Sequence, residues 1–191
     1  ISVPFANKQV TEITCHGKGA HFLFPAARTV IDIGGQDSKV IRLSDLGSVV
    51  DFAMNEKCAA GTGRFLEVMA QALEVKLEDM AQIARKALRS VSISSMCTVF
   101  AESEVVSLIA EGTPREEIIR GLHQAVADRT SGLVHRVGLE KQVVMTGGVA
   151  KNAGAVHCLE EKLKVKIVVP EEPQITGALG AALVACDAVN G

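Results

Sequence analysis

The chain reads as an α/β protein built on one mixed sheet, and three observations carry that reading. Three short β-rich segments, Thr29–Ile33, Lys39–Leu43 and Val49–Met54, follow one another with only tight turns between them, the pattern of an antiparallel meander. The last third alternates strand-like and helix-like segments, which requires parallel crossovers packed on the faces of a sheet. Paired glycines stand where strand-like segments end, at Gly34-Gly35 and Gly147-Gly148, so backbone N–H groups there can approach a ligand without interference from a Cβ.

The elements follow in order. Residues 7–22 read as a helix, with apolar Val10, Ile13, Ala20 and Phe22 interrupted by Gly17 and Gly19, and Pro25 ends it. The meander comes next, with turns at Gly34–Asp37 and Ser44–Ser48. Phe65, Leu66, Met69 and Leu73 then share one helical face, and a second helix is expected from Leu77 to Leu88. A β-like piece, Val91–Ser95, leads to Cys97. Helices over 100–111 and 115–137 follow, the latter opened by Thr113-Pro114, an N-cap residue with a first-turn proline. The chain closes with a strand Gln142–Met145, a helix Lys151–Leu163, a strand Lys166–Val169 and a helix Thr176–Val189. No linker, low-complexity tract or internal repeat is visible.

Bulk properties narrow the function. With 191 residues, 48% of them hydrophobic, the chain can bury one ordinary core. A net charge of −2, no Lys/Arg block and no Trp or Tyr argue against nucleic acid or an anionic membrane as partner. No apolar run approaches the roughly 20 residues that span a bilayer, and no signal peptide is visible, so the cytoplasm is expected. Five cysteines at these spacings do not form a secreted disulfide framework, and Cys15, Cys158 and Cys186 are expected to pack as ordinary residues.

The other two cysteines are more informative. Cys58 in NEKCAAGTGRF and Cys97 in SSMCTVFAESE each precede a predicted helix start, where unpaired N–H groups and the macrodipole favour the thiolate, the form that binds metal. Iron–sulfur clusters are usually held by four thiolates, so one matched pair per chain would need a second copy of the chain. Both residues also read as small buried hydrophobes. A single Gly-Gly turn is a weak sign of phosphate binding, but this chain carries TVIDIGGQDSKVI, CAAGTGRF, VVMTGGVAKN and QITGALGAA in order.

That ordered set, with SSMCTVFAESEV between its members, closely resembles the ATP-dependent activators of 2-hydroxyacyl-CoA dehydratases, a family shared with the ATPase subunits of benzoyl-CoA reductase. The resemblance runs from about Asn7 to the C-terminus. It implies the actin-like ATPase fold of acetate and sugar kinases, Hsp70 and actin. It also implies a homodimer holding one 4Fe-4S cluster through Cys58 and Cys97 of each protomer. The first phosphate loop of the family, of the form DxGSTxSK, is missing and the chain opens at Ile1. The expectation is therefore a C-terminal portion of a longer protein, with 1–27 as the remnant of a first lobe and connecting helix, and 28–191 as the C-terminal ATPase lobe bearing the cysteines.

Site residues follow from the residues and the resemblance together. Asp32 and Asp37 flank the Gly34-Gly35 turn, from which carboxylates could reach Mg²⁺ beside terminal phosphates, although Asp37 also reads as a turn cap. By resemblance this loop is a phosphate clamp in which Asp32 and Gln36 are the catalytic positions. Gly61, Thr62 and Gly63 permit a sharp helix start that could aim N–H groups at cluster sulfurs and link the helix to the cleft. Resemblance puts Gly147, Gly148, Lys151 and Gln174 near the nucleoside of ATP or ADP, while Gly177 and Gly180 read as packing glycines, Gly177 with an alternative place beneath the adenine. Arg64 reads as solvated, Glu102 as a candidate neighbour of the cleft and Glu104 as a helix-start carboxylate. His16, His21, His123, His135 and His157 lack metal-ligand spacing and read as structural or surface residues.

The function implied is an ATP-driven electron-transfer activator that receives an electron from ferredoxin or flavodoxin and passes it to a separate dehydratase. Three alternatives stay open: the ATPase subunit of a benzoyl-CoA reductase, an actin-fold sugar or acetate kinase with incidental cysteines, and a non-catalytic scaffold.

Overall fold

The computed structural model describes residues 9–55, 58–94 and 97–190. Strands β1 (Thr29–Ile33), β2 (Ser38–Leu43) and β3 (Val49–Asn55) form the antiparallel meander, and β4 (Val143–Thr146) and β5 (Ile167–Val168) extend the sheet in parallel from the other side of β1. The order is β3-β2-β1-β4-β5, and every residue of the central β1 is buried. Successive side chains of a strand point to opposite faces, so β1 feeds two cores. Ile31 and Ile33 enter the larger one, beneath α2 (Gly63–Ala72), α3 (Met80–Ala84), α4 (Thr98–Ala110), α5 (Arg115–Val137) and α6 (Ala153–Leu163). Val30 enters the smaller one with Ile13 and Ala20 of α1 (Glu12–Leu23), across which α7 (Thr176–Asn190) lies.

Gly17 and Gly19 do not interrupt α1. A Cβ at Gly19 would strike the carbonyl oxygen of Thr176, and one at Gly180 would strike that of Cys15, so these glycines let α1 and α7 approach backbone to backbone. The helix starts at Glu12 rather than near residue 7, because Thr11 adopts an extended conformation and its side chain accepts from the Thr14 N–H; residues 7 and 8 lie outside the described residues.

Other expected elements shift for identifiable reasons. Leu77–Leu88 is one turn of 3₁₀ helix, Leu77–Asp79, and the short α3; Met80 and Ala84 are buried, whereas Leu88 is 97% exposed and offers nothing to hold a further turn. Residues 91–94 form no strand: the Val91 N–H donates to the Glu117 carbonyl, and Gly121 of α5 leaves room for the Val91 carbonyl, so the segment lies along α5. Ser95 is outside the described residues. The helix expected from Lys151 begins at Ala153, after a 3₁₀ turn over Gly148–Lys151, because the Asn152 side chain caps the Gly154 and Ala155 N–H groups. Cys15 and Cys158 pack inside as expected, while Cys186 is exposed.

Candidate nucleotide cleft and cysteine face

The carboxyl ends of β1 and β4 lie side by side, the edge at which open α/β sheets bind ligands. They open into a cleft of about 640 Å³. The two ends meet closely. Gly147 has φ +83°, and any side chain there would run into the Ile33 carbonyl, so only glycine fits the crossing.

A buried ion network forms the base of the cleft. Asp32 is 3% exposed; its Oδ1 accepts from Thr146 Oγ1 at 2.7 Å, and its Oδ2 lies 3.4 Å from Lys39 Nζ. Lys39 is as deeply buried, and its Nζ also reaches Asp37 Oδ2 at 2.8 Å and Glu12 Oε1 at 3.2 Å. Burial opposes its charge, but the Asp37 hydrogen bond, the Asp32 charge and the Glu12 hydrogen bond outweigh burial and raise its pKa above the ordinary value. His16 of α1 completes the network, with Nε2 3.4 Å from Glu12 Oε1 and Nδ1 3.4 Å from Asp32 Oδ1.

Most of the expected cleft residues converge here. Asp32, Gly34, Gly35 and Asp37 line one wall, Gly63 the next, and Gly147, Gly148, Lys151 and Gln174 the opposite side, where Lys151 Nζ donates to Glu172 Oε2 at 3.0 Å. Others stand apart. Gln36 is exposed and does not line the cleft, because the turn aims it outward. Gly61, at φ +84°, rests against Arg129 of α5, and the Thr62 hydroxyl donates to the Ala59 carbonyl at 2.6 Å, so both shape the start of α2 from behind. Gly177 sits under the His16 ring, with its Cβ position 2.9 Å from Nε2. Glu102 is exposed and not a cleft residue, and Glu104 Oε1 accepts from both the N–H and the hydroxyl of Ser94, fastening the segment before Cys97.

Sequence reasoning missed three members of the network. Glu12 and His16 are four apart on α1 and therefore share a face, a spacing that could have singled them out. Lys39 is a charged residue at the head of the apolar run Val40-Ile41 in β2, a pattern that calls for carboxylate partners if the strand is central.

The cysteine face differs in character. Cys58 is partly buried, and its carbonyl accepts from Asn55 Nδ2 at 2.9 Å; Cys97 is exposed and holds the extended N-cap position of α4. The helices that follow them, α2 and α4, pack against each other, and α4 leaves Val99 and Phe100 about two-thirds exposed. Residues 56, 57, 95 and 96 of the two cysteine motifs lie outside the described residues. The α2 N–H groups expected to face cluster sulfurs are engaged elsewhere: Thr62 N donates to Ala59 O at 3.0 Å, and Gly63 N and Arg64 N donate to Gly34 O and Gly35 O, each at 2.8 Å. The start of α2 is thus bonded directly to the glycine turn of the cleft.

A meander joined to parallel crossovers, with a cleft at the switch between them, defines an actin-like ATPase fold. Its likeness to the ethanolamine utilization protein EutJ of Carboxydothermus hydrogenoformans, at 18% identity and a TM-score of 0.55, is one of fold alone. Residues 2–185 match the BadF/BadG/BcrA/BcrD ATPase family, and the chain belongs to it. It is 59% identical over 185 residues to the activator of lactoyl-CoA dehydratase of Anaerotignum propionicum, covering 97% of this chain and 71% of the relative. Component A of the (R)-2-hydroxyglutaryl-CoA dehydratase of Acidaminococcus fermentans superposes with a TM-score of 0.94 at 54% identity, over 97% of this chain and 71% of that one. The activator of the 2-hydroxyisocaproyl-CoA dehydratase of Clostridium difficile, solved with bound ADPNP, gives 0.93 at 50% identity, over 98% and 70%. Among the described residues no helix is long and apolar enough to cross a membrane.

Proposed function

We propose that the chain is an ATP-dependent electron-transfer activator of a 2-hydroxyacyl-CoA dehydratase. The observation that carries the reading is the pair of backbone hydrogen bonds from Gly63 and Arg64 to Gly34 and Gly35. They join the helix after Cys58 to the turn that would hold phosphates, so a change at the cleft moves the cysteine face. In this reading Asp32 positions Mg²⁺, Gly34, Gly35 and Gly63 approach the phosphates of ATP or ADP, and Gly147, Gly148, Lys151 and Gln174 take the nucleoside. Gln36, Gly61, Thr62 and Gly177 act from outside the cleft.

The donor set at the cysteine face suits one half of a 4Fe-4S cluster. Cys58 and Cys97 are free thiols before two packed helices, and the exposed Val99 and Phe100 beside them favour burial against a second copy. When bound, the cluster supplies a one-electron carrier whose potential depends on exposure and hydrogen bonding. The protein would work as a homodimer in the cytoplasm, taking electrons from ferredoxin or flavodoxin. The benzoyl-CoA reductase alternative has weaker support: a polypeptide of that enzyme from Thauera aromatica is 34% identical, well below the dehydratase activator.

Anaerobic purification tests this reading. The protein should be brown, dimeric and contain about four irons per dimer, and Cys58→Ser or Cys97→Ser should each abolish the colour. A colourless monomer after reconstitution with iron and sulfide would favour the kinase alternative.

A further inference from the structure

We propose that Glu12, His16 and Asp32 form a site for a first-row transition-metal ion at the base of the cleft, one that fills without nucleotide. Their donor atoms lie within 4.8 Å of one another. The His16 side chain is 9% exposed, and its Nδ1 is buried without a hydrogen-bond partner, 3.4 Å from Asp32 Oδ1. A neutral imidazole has one N–H and one acceptor nitrogen. With the N–H on Nε2, toward Glu12, the Nδ1 lone pair faces a carboxylate oxygen, and two acceptors facing each other in a buried place are relieved by a cation between or beside them.

Charge points the same way. The carboxylates of Glu12, Asp32 and Asp37 surround the single ammonium of Lys39, leaving two negative charges for a divalent ion to balance. Lys39 need not leave, because its shortest bond, 2.8 Å, is to Asp37, which is not a member of the triad. Nδ1 and Asp32 are held in place, the first by Gly177 under the ring and the second by the Thr146 hydroxyl, which orients the carboxylate from behind. The Glu12 side chain, 62% exposed, already holds Oε1 against Lys39 and His16, and its second carboxylate oxygen supplies the third ligand. Magnesium prefers oxygen donors and near-ideal octahedral geometry, whereas imidazole favours later first-row ions, so the site should prefer Co²⁺ or Zn²⁺ to Mg²⁺.

The metal site shares Asp32 with the nucleotide reading but is tested without nucleotide. Co²⁺ is titrated into the full chain carrying Cys58→Ser and Cys97→Ser, so that no thiolate of the cysteine face competes, and binding is followed by visible absorption. One Co²⁺ per chain is expected, without thiolate charge-transfer bands and persisting in excess Mg²⁺. His16→Ala should weaken it by at least the roughly 10- to 100-fold that loss of an outer-shell partner costs, and Glu12→Gln, which keeps an oxygen acceptor for Lys39 Nζ while removing the charge, should weaken it in the same direction. No saturable binding, displacement by equimolar Mg²⁺, or unchanged affinity in both variants overturns the proposal. Calorimetry with ADP in parallel separates the two ideas: ADP bound without cobalt sinks the metal site alone, and cobalt bound without ADP sinks the nucleotide reading alone.

Discussion

The cleft and the cysteine face lie at the two ends of the same helix start, yet they are built differently. Around the cleft, β1 is buried throughout, Lys39 and Asp32 are almost sealed from water, and Gly147 tolerates no side chain. Around the cysteines, Cys97, Val99 and Phe100 are exposed. One chain therefore supplies a preorganised base for its cleft but only part of an enclosure at the other end. What is open in the single chain is the face on which a second copy would act, and what is sealed is the base of the cleft that would sense nucleotide.

Removing the ammonium from the cleft should break that contrast most forcefully. Lys39→Met leaves Asp32 buried without its cation, and loss of one partner of a buried ion pair typically costs about 3–5 kcal/mol. Chemical denaturation should show a loss of that order, whereas Arg64→Ala, which removes only an exposed pair with Glu67, should change stability by less than about 1 kcal/mol. Because the Lys39 pKa is raised in the fold, its contribution is complete below the ordinary value of 10.5 and is lost only as the pH climbs through the higher folded value.

A second, smaller effect lies behind the cleft, where α5 meets α6. His123 is fully buried, neither ring nitrogen has a hydrogen-bond partner, and burial lowers its pKa from 6.5 to about 4. The unfolded chain then binds a proton that the folded chain refuses, so stability is full above pH 6.5 and falls as the pH drops toward 4, by up to about 3 kcal/mol from this group. His123→Leu should flatten that slope in denaturation midpoints measured between those two pH values. An unchanged slope would mean that the imidazole is hydrated in solution.

Much of this was legible in the sequence, and the parts that were not share a cause. The meander, the crossovers and the glycine turns are local patterns, and α/β alternation alone puts Gly34 and Gly147 at one edge of the sheet. The ion network is not local. Glu12 and His16 come from α1 and Asp32 and Lys39 from two strands, so the network exists only once α1 has packed across the sheet. Read along the chain, His16 is one scattered histidine among five. The β-like piece expected over Val91–Ser95 shows the reverse limit: in its described residues 91–94, contact with α5 overrides the local preference, as tertiary packing often does for short segments.

The central claim is that the bonds from Gly63 and Arg64 to the glycine turn couple the cleft to the proposed cluster. A ligand shifts such an equilibrium only if it binds one arrangement better than the other, so nucleotide must change access to the iron if the coupling exists. The direct test is the rate of iron chelation from the anaerobic, cluster-loaded dimer with ADP, with ATP and without nucleotide. Rates that differ among the three conditions, and that converge in Asp32→Asn while its iron content stays intact, are the predicted result. Three identical rates in the unmutated protein would contradict the coupling and leave a cluster carrier that does not respond to nucleotide.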